Sequence, residues 1–222
     1  MSRKVNKRSY ESPERRASAA RTRHDVLAAA RKLFVAKGFS GTTMAAVAKA
    51  AGVAPDTIYE TIGAKPVLFR ELIETALSGT DEVTPALERD YVKEIEAEQD
   101  AGAKIDRYAK AVASIQPRLA PLLNVLRDAG GAEPGLRRLW RELSERRAAN
   151  MRLFTQGLAR VGGLREGLSI EEAADIVWSM NSAEFYELLV TQRGWSPERF
   201  ERFLAQAWRR LLLSGPDQRR LA

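Results

Sequence analysis

Cysteine is absent from this sequence, and histidine occurs once, at position 24. The lack of cysteine excludes disulfides, thiolate nucleophiles, iron–sulfur clusters and cysteine-based zinc sites. A single histidine also excludes the metal-binding motifs that need two of them. We therefore predict no metal site and no cofactor. Neither His24 nor the acidic pair Glu171-Glu172 lies in a pattern that indicates catalysis, so no catalytic residue is predicted.

Long apolar runs are also missing. No segment approaches the roughly 18 residues of a membrane span. The basic N-terminus lacks the apolar core of a secretory signal. We therefore expect no membrane contact and a cytoplasmic location. The 222 residues are 45 % apolar and 29 % charged. That composition is typical of a soluble globular protein.

Charge is unevenly spread along the chain. Residues 1–80 hold 14 basic and 7 acidic side chains, whereas the remaining residues hold 22 of each. The whole net charge of +7 therefore lies in the first third of the sequence. Such an asymmetry is typical of a segment that binds a polyanion, most often a nucleic acid. The alternative from charge alone is a solvated basic tail without a partner.

Strand signals are nearly absent, and helical periodicity covers most of the chain. The sequence therefore predicts an all-α protein, with a three-helix N-terminal domain followed by a larger C-terminal helical domain. Residues 1–17 are interpreted as a disordered basic arm that includes Arg3, Lys4, Lys7 and Arg8. The helical patterns cover 19–37, 43–50, 55–61, 64–77, 86–98, 102–115, 118–129, 134–161, 169–192 and 197–213.

A pair of short helices near residue 50 carries the strongest signal. Two helices that cross steeply need a small residue where they approach most closely, and Ala48 provides it. The turn between them needs a residue that tolerates positive φ, and Gly52 provides it four positions later. This spacing is typical of a helix-turn-helix that reads the DNA major groove. Thr42 is expected to cap the first of the two helices, and the apolar anchors are Val47, Val53 and Ile58.

Residues 22–70 resemble the DNA-binding domain of the TetR family of bacterial transcriptional regulators. The resemblance is carried by five motifs that follow one another in order. They are Leu33-Phe34-x-x-Lys37-Gly38-Phe39, Gly41-Thr42-Thr43, Val47-Ala48-x-x-Ala51-Gly52-Val53, Thr57-Ile58-Tyr59 and Gly63-x-Lys65-x-x-Leu68.

The resemblance implies a homodimer that binds double-stranded DNA and a small-molecule inducer. The domains would be a helix-turn-helix domain (18–64), a linking helix (65–80), a C-terminal regulatory and dimerisation domain (81–215) and a tail (216–222). The resemblance also implies phosphate contacts from Thr42, Thr43, Tyr59 and Lys65, which position the protein on DNA without recognising the base sequence. A partly buried structural aromatic is the alternative for Tyr59.

The second helix of the pair departs from the family pattern at two positions. Ala54 stands where a capping serine is common, and Pro55 partly compensates because its φ is fixed. Glu60 stands where a basic or neutral polar residue is usual, so a phosphate contact there is in doubt. A carboxylate could instead accept from cytosine N4 in the major groove. We therefore expect Asp56, Thr57 and Glu60 to determine sequence specificity.

The last two helical patterns are unusually apolar. A helix that is apolar on most sides is buried on most sides, which favours burial by a second copy of the chain. A purely intramolecular core is the alternative. The predicted dimer interface comprises Val177, Phe200, Leu204, Trp208 and Leu211.

The C-terminal helices are also expected to enclose an inducer cavity. Its predicted walls carry few charged residues, which favours an apolar or weakly polar ligand. Asn181 would be a polar group on an apolar wall, although a capping or solvated role is its alternative. A cavity filled by its own side chains remains open too. The predicted ligand-binding residues are Tyr108, Met151, Phe154, Trp178, Asn181 and Phe185, with Val112, Leu122 and Leu126 beside them.

Taken together, these patterns predict a ligand-responsive repressor that a small apolar inducer releases from a palindromic operator. Two alternatives stay open. One is a DNA-binding factor without an inducer, and the other is a small all-helical enzyme or a binder of membrane surfaces. Salt-sensitive binding of duplex DNA separates the first two readings from the third, and ligand-driven release separates the first from the second.

Overall fold

A computed structural model describes residues 13–214 of the chain. Within these residues all regular secondary structure is helical, apart from one isolated bridge between Leu164 and Leu213, so the all-α prediction is confirmed. The helices are α1 (Pro13–Lys37), α2 (Met44–Ala51), α3 (Pro55–Thr61), α4 (Lys65–Ser78), α5 (Asp90–Ala97), α6 (Ala101–Ala129), α7 (Pro134–Arg160), α8 (Ile170–Met180), α9 (Ala183–Tyr186) and α10 (Pro197–Leu212). A 3-10 turn (Ala86–Glu88) precedes α5, and a π-helical turn (Glu187–Gln192) follows α9.

Helices α1 to α3 form the predicted helix-turn-helix unit. Gly52 ends α2 in the left-handed conformation with φ of 69°, which costs glycine little because it has no Cβ. The amide of Val53 then donates to the Ala48 carbonyl at 3.0 Å and tightens the turn into α3. Ala48 is buried at the crossing of α2 with its neighbours. Both residues therefore have the roles that their spacing predicts.

Helix α1 begins earlier than the sequence suggests. It starts at Pro13, so the arm predicted for residues 1–17 is wrong for residues 13–17. Proline is favoured in the first turn of a helix because its missing amide would have no partner there. The basic residues of the predicted arm, Arg3, Lys4, Lys7 and Arg8, lie outside the described residues, as does the predicted tail.

Helix α6 is a single helix of 29 residues where the sequence suggests two helices that meet near residue 117. It contains Pro117 and Pro121, and each proline removes one backbone donor. The side chain of Arg31, from α1, donates to the carbonyls of Pro117 at 3.4 Å and Arg118 at 2.5 Å. An outside donor therefore satisfies a carbonyl that Pro121 leaves without its usual partner.

The sequence predicts one continuous helix over 169–192, but the structure has two helices there, α8 and α9, followed by the π-helical turn. The chain leaves the helix at Asn181 and restarts at Ser182, whose side chain accepts from the Phe185 amide at 3.1 Å. Serine readily offers such a cap, which competes with helix continuation. The predicted capping box of Ser169 and Glu172 at the start of α8 is confirmed.

Two groups of buried apolar side chains hold the fold together. The first joins α1–α4 to the second half of α6 and the first half of α7, and the second lies among α5–α10. The helix-turn-helix unit therefore shares a continuous core with two C-terminal helices. Within the described part of the chain, no helix combines the length and the apolar character needed to cross a bilayer.

Candidate functional site

Helix α3 presents a polar surface to solvent. Asp56 and Glu60 are exposed, Tyr59 is 51 % exposed, and Thr57 is half-buried. Ile58 is fully buried and anchors the helix to the core. The structure thus brings the four polar residues predicted for this helix onto one accessible element. Its N-terminus has no side-chain cap, and Pro55 occupies the first turn as expected.

The two threonines before α2 have different roles. Thr43, not Thr42, is the N-cap, since its side chain accepts from the Ala46 amide at 3.1 Å. Thr42 is 1 % exposed, and its hydroxyl donates to the Gly38 carbonyl at 2.9 Å. The predicted phosphate contact of Thr42 therefore does not hold, because its hydroxyl and its amide, which donates to the Phe39 carbonyl at 3.2 Å, are both bonded inside the protein. Thr43 is exposed, and because its side chain acts as an acceptor in the cap, its hydroxyl group can still donate a hydrogen bond to a phosphate.

Lys65 lies in the first turn of α4 and is half-buried. Its Nζ is 4.3 Å from the centre of the Phe39 ring, which is a cation–π distance. Partial burial lowers the pKa of this ammonium group. The aromatic ring therefore holds Lys65 in place at the surface beside α3 without neutralising its charge.

A cavity of about 430 Å³ lies between α4, the segment 83–92, α6 and α7. Its size falls within the usual range for small-molecule sites. Four of the predicted ligand-binding residues line it, together with Val112 of the predicted wall. These four are Tyr108, Met151, Phe154 and Asn181.

A hydrogen-bonded polar cluster forms one part of the cavity wall. The Asn181 amide donates to the Tyr108 hydroxyl at 2.7 Å, and that hydroxyl donates to the Met151 sulfur at 3.0 Å. Gln116 donates from Nε2 to the backbone carbonyl of Asn181 at 2.6 Å. Burial raises the pKa of the Tyr108 phenol, so this hydroxyl stays protonated and available as a donor. Asn181 is therefore a connected, buried group and not a solvated one.

Arg147 extends this polar cluster along the cavity. Its guanidinium donates to the Asn181 side-chain oxygen at 3.3 Å and stacks over the Trp178 ring at 4.4 Å. Burial lowers the pKa of this guanidinium, although an arginine remains charged at neutral pH. The cavity thus contains a cation beside an amide and a phenol.

Several predicted wall residues lie elsewhere. Trp178 lines a second, smaller pocket on the far side of Arg147, and Phe185 stacks with Phe203 at 6.3 Å between ring centres. Leu122 and Leu126 are buried in the core that α6 shares with α1 and α4. Helical spacing correctly places these residues on apolar helix faces, but those faces are not the ones that line the cavity.

The expectation of few charged wall residues is also wrong. Five basic side chains and two acidic ones line the cavity. Helical periodicity places the stems of long basic residues correctly, but it does not show that their charged ends turn towards a cavity. The basic members are Arg89, Lys104, Arg146, Arg147 and Arg160, and the acidic ones are Glu74 and Glu96.

Four of the five residues predicted for a dimer interface are buried inside the protomer. Trp208 is fully buried and stacks with Tyr108 at 5.4 Å between ring centres. An internal core already covers these side chains, so a partner cannot cover them. The four are Val177, Phe200, Leu204 and Trp208, whereas Leu211 is exposed.

Another apolar surface remains on the same elements. On α10, Phe203, Ala207 and Leu211 follow one another at intervals of four residues, which places them in one row. Phe203 and Leu211 are exposed, and so is Leu188 on the π-helical turn before α10. This row, Phe203–Ala207–Leu211, is an apolar surface of α10 that the protomer covers only in part.

Sequence reasoning missed Gln116 and Arg147, although a signal for both was present. Gln116 follows Tyr108 and Val112 at steps of four, so the three residues share one face of α6. Arg147 precedes Met151 by four residues on α7. Extending each predicted wall by one helical turn would have included both polar residues. Among residues 13–214, no group of acidic or histidine side chains is placed to hold a metal ion.

Comparison with known proteins agrees with this architecture. Residues 26–72 match the family model of bacterial regulatory proteins of the tetR family. That segment runs from the middle of α1 into α4 and includes the complete helix-turn-helix. A comparison with curated proteins gives no match.

Solved structures extend the likeness to the C-terminal helices. NalD of Pseudomonas aeruginosa, the secondary repressor of the MexAB-OprM multidrug efflux pump, is 22 % identical with a TM-score of 0.65. The match covers 86 % of this chain and 96 % of NalD. The regulator FadR of Bacillus subtilis, solved with stearoyl-CoA, is 17 % identical with a TM-score of 0.67, over 83 % of this chain and 96 % of FadR.

The family model confirms the predicted resemblance over the helix-turn-helix, and the solved structures share the fold of the chain. Residues 26–72 are a TetR-family helix-turn-helix domain, and the chain as a whole has the all-helical fold of TetR-family transcriptional regulators.

Proposed function

We propose that this protein is a homodimeric repressor that binds a palindromic DNA operator and releases it when a small molecule fills the cavity. The observation that carries the proposal is the position of α4. Leu68 and Phe69 of α4 pack in the core of the helix-turn-helix unit, whereas Ile73, Glu74 and Leu77 line the cavity. One rigid helix therefore contacts both sites.

DNA binding is assigned to the exposed surface of α2, α3 and the start of α4. Asp56, Thr57 and Glu60 would contact base edges in the major groove. Thr43, Tyr59 and Lys65 would contact phosphates, which position the protein without reading sequence. The concentration of the net positive charge in residues 1–80 supports this assignment.

Ligand binding is assigned to the cavity, with Tyr108, Met151, Phe154 and Asn181 as contacts. A ligand changes DNA affinity only by its differential affinity for the two arrangements of the DNA-binding units. The Glu74–Arg146 ion pair at 2.7 Å joins α4 to α7 across the cavity wall. A ligand that displaces this pair would shift α4. The structural neighbours NalD, a repressor, and FadR, solved with stearoyl-CoA, support a regulator of this kind.

Selection of bound duplexes from a random pool tests DNA binding directly. We expect an inverted repeat, because a two-fold protein reads two identical half-sites. Affinity should fall steeply between low and physiological salt, since phosphate contacts release counterions. Recovery of no preferred duplex would contradict the proposal and favour the enzyme or membrane-surface alternative.

Two substitutions distinguish residues that contact phosphates from residues that recognise bases, namely Tyr59→Phe and Glu60→Gln. Tyr59→Phe should weaken binding to all duplexes about equally. Glu60→Gln should raise non-specific affinity and relax the preference at one base pair. Equal selectivity before and after Glu60→Gln would show that this carboxylate does not read a base.

Compounds that stabilise the protein and release the selected duplex would distinguish the inducible repressor from a DNA-binding factor without an inducer.

A further inference from the structure

Four of the five basic side chains on the cavity wall lack a carboxylate partner among the described residues, and three of these four are buried or half-buried. Arg89 and Lys104 are 8 % and 3 % exposed, and Arg147 is half-buried. No carboxylate among residues 13–214 lies within ion-pairing distance of any of them, whereas the neighbouring Arg146 pairs with Glu74. These three therefore differ from Arg146, which is ion-paired, and from Arg160, which is exposed to solvent.

Neutral groups take the place of counter-ions at these positions. Arg89 donates to the Thr84 carbonyl at 3.1 Å, and the Lys104 ammonium donates to the Ile95 carbonyl at 2.6 Å. Arg147 has only the Asn181 oxygen and the Trp178 ring described above. Carbonyl dipoles satisfy donors, but they leave the net charge uncompensated. The field inside the cavity is therefore positive and favours an anion.

Gln116 supplies an independent indication of what the cavity binds. Its side chain is 3 % exposed, and its Nε2 is bonded to the Asn181 carbonyl. Its Oε1 is buried and has no hydrogen-bond partner. A buried amide oxygen without a donor carries a cost that a bound group with a hydroxyl or N–H would remove.

The cavity wall has buried polar groups on one part and exposed apolar side chains on another. Gln116 and Asn181 are buried, whereas Val83, Leu87 and Leu153 on its wall are 49 %, 58 % and 48 % exposed. Exposed apolar side chains around a pocket are typical of a binding site for an apolar group. A ligand would therefore enter with its apolar part towards these three residues and its polar part towards Arg147.

We propose that the cavity binds an organic acid with an apolar body. Its carboxylate meets the Arg147 guanidinium, a hydroxyl or N–H next to that carboxylate donates to Gln116 Oε1, and its apolar body extends past Phe154. This assignment rests on the proposed function, because it names the chemical class of ligand for the same cavity.

Matched probes test the charge preference on the full-length protein by calorimetry. One series comprises decanoate, decanol and decylamine, and a second comprises 4-phenylbutyrate, 4-phenylbutanol and 4-phenylbutylamine. We expect at least one acid to bind about tenfold or more tightly than its alcohol and amine. An alcohol or amine that binds as tightly as its acid, or the absence of binding by both acids, would overturn the proposal.

Variants then test the residues. Arg147→Gln should weaken binding of the acid about tenfold and leave the alcohol within about twofold. Arg141→Gln is the control, because Arg141 is exposed on the same helix and does not line the cavity. Gln116→Met should abolish any preference for 2-hydroxydecanoate over decanoate. Retention of the acid preference in Arg147→Gln would contradict the assignment.

Binding of DNA by the unliganded protein separates the two proposals. If the selected duplex binds but neither acid does, the ligand class is wrong and the DNA-binding function stands. If the acid binds and no duplex is recovered, the cavity chemistry is right and the repressor assignment fails. Circular dichroism of each variant verifies that the helices are intact.

Discussion

His24, the only histidine, ties the helix-turn-helix unit to the segment after α4. Its Nδ1 is 2.6 Å from Asp81 Oδ2, and both side chains are exposed. This hydrogen bond, together with the charge of Asp81, raises the pKa of His24 above its ordinary value. Since the folded-state pKa is raised, the contribution to stability is present at acidic pH and is lost as pH rises through that pKa.

We predict that the single imidazole signal in a proton NMR titration will report a raised pKa. Asp81→Asn should bring the pKa of His24 back towards its ordinary value, because it removes the hydrogen-bonding carboxylate. Asp25→Asn should lower it only slightly, since Asp25 makes the smallest contribution. An unchanged titration in Asp81→Asn would show that the contact does not persist in solution.

The adjacent threonines allow a comparison of a buried and an exposed role. Thr42→Val should lower the free energy of unfolding by about 1–3 kcal/mol, because the Gly38 carbonyl loses its donor. Thr43→Ala should cost about 1 kcal/mol through loss of the helix cap, and it should also weaken DNA binding. Urea unfolding and duplex affinity measure the two effects. Weaker DNA binding by Thr42→Val at full stability would restore a phosphate role for Thr42.

At the scale of helices, the prolines of α6 mark the contact between the two halves of the molecule. Arg31 reaches from α1 to the carbonyls of Pro117 and Arg118, and Arg118 in turn donates to the Ala76 carbonyl near the end of α4. The proline-containing turn of α6 is therefore bonded to both neighbouring helices. Without Pro121, the Pro117 carbonyl would be bonded within the helix.

Removal of this contact should destabilise the protein measurably. We predict that Arg31→Ala lowers the free energy of unfolding by about 1–2 kcal/mol, as expected for two hydrogen bonds to backbone carbonyls. Lys32→Ala, at the exposed neighbouring position, should change it by less than about 0.5 kcal/mol. Equal effects of the two substitutions in urea unfolding would argue that Arg31 is solvated.

The helices themselves could be predicted because periodicity and capping act locally. Ser169, Ser196 and Gly52 mark helix ends correctly, since each satisfies or closes backbone groups within a few residues. The course of the chain at Pro117 and at Asn181 could not be predicted. At Pro117 the outcome depends on Arg31, which is distant in sequence, and at Asn181 the local Ser182 cap acts together with the distant Gln116, which bonds the Asn181 carbonyl.

At the scale of the whole molecule, an apolar helix face does not reveal what covers it. Phe200, Leu204 and Trp208 were assigned to a partner copy, yet α6 and α8 of the same chain cover them. The same ambiguity placed Trp178 and Phe185 on the cavity wall. The apolar row of α10, Phe203–Ala207–Leu211, is one partly exposed surface that could contact a second protomer.

Two substitutions on α10 distinguish an interface from a core. We predict that Leu211→Glu converts a dimer to a folded monomer, because it places a charge in an apolar contact between protomers. Trp208→Glu should instead unfold the protomer, since Trp208 is fully buried within it. Sedimentation equilibrium gives the mass, and circular dichroism gives the helix content.

Operator affinity completes this test of the dimer. A monomer engages only one half-site at a time, so Leu211→Glu should bind the selected duplex at least tenfold more weakly at equal protein concentration. Gln206→Glu, an exposed control on α10 outside the apolar row, should remain dimeric with full affinity. A dimeric double variant Phe203→Glu/Leu211→Glu would place the interface on another surface. A monomeric one with undiminished affinity would separate DNA binding from dimerisation and contradict the two-fold operator.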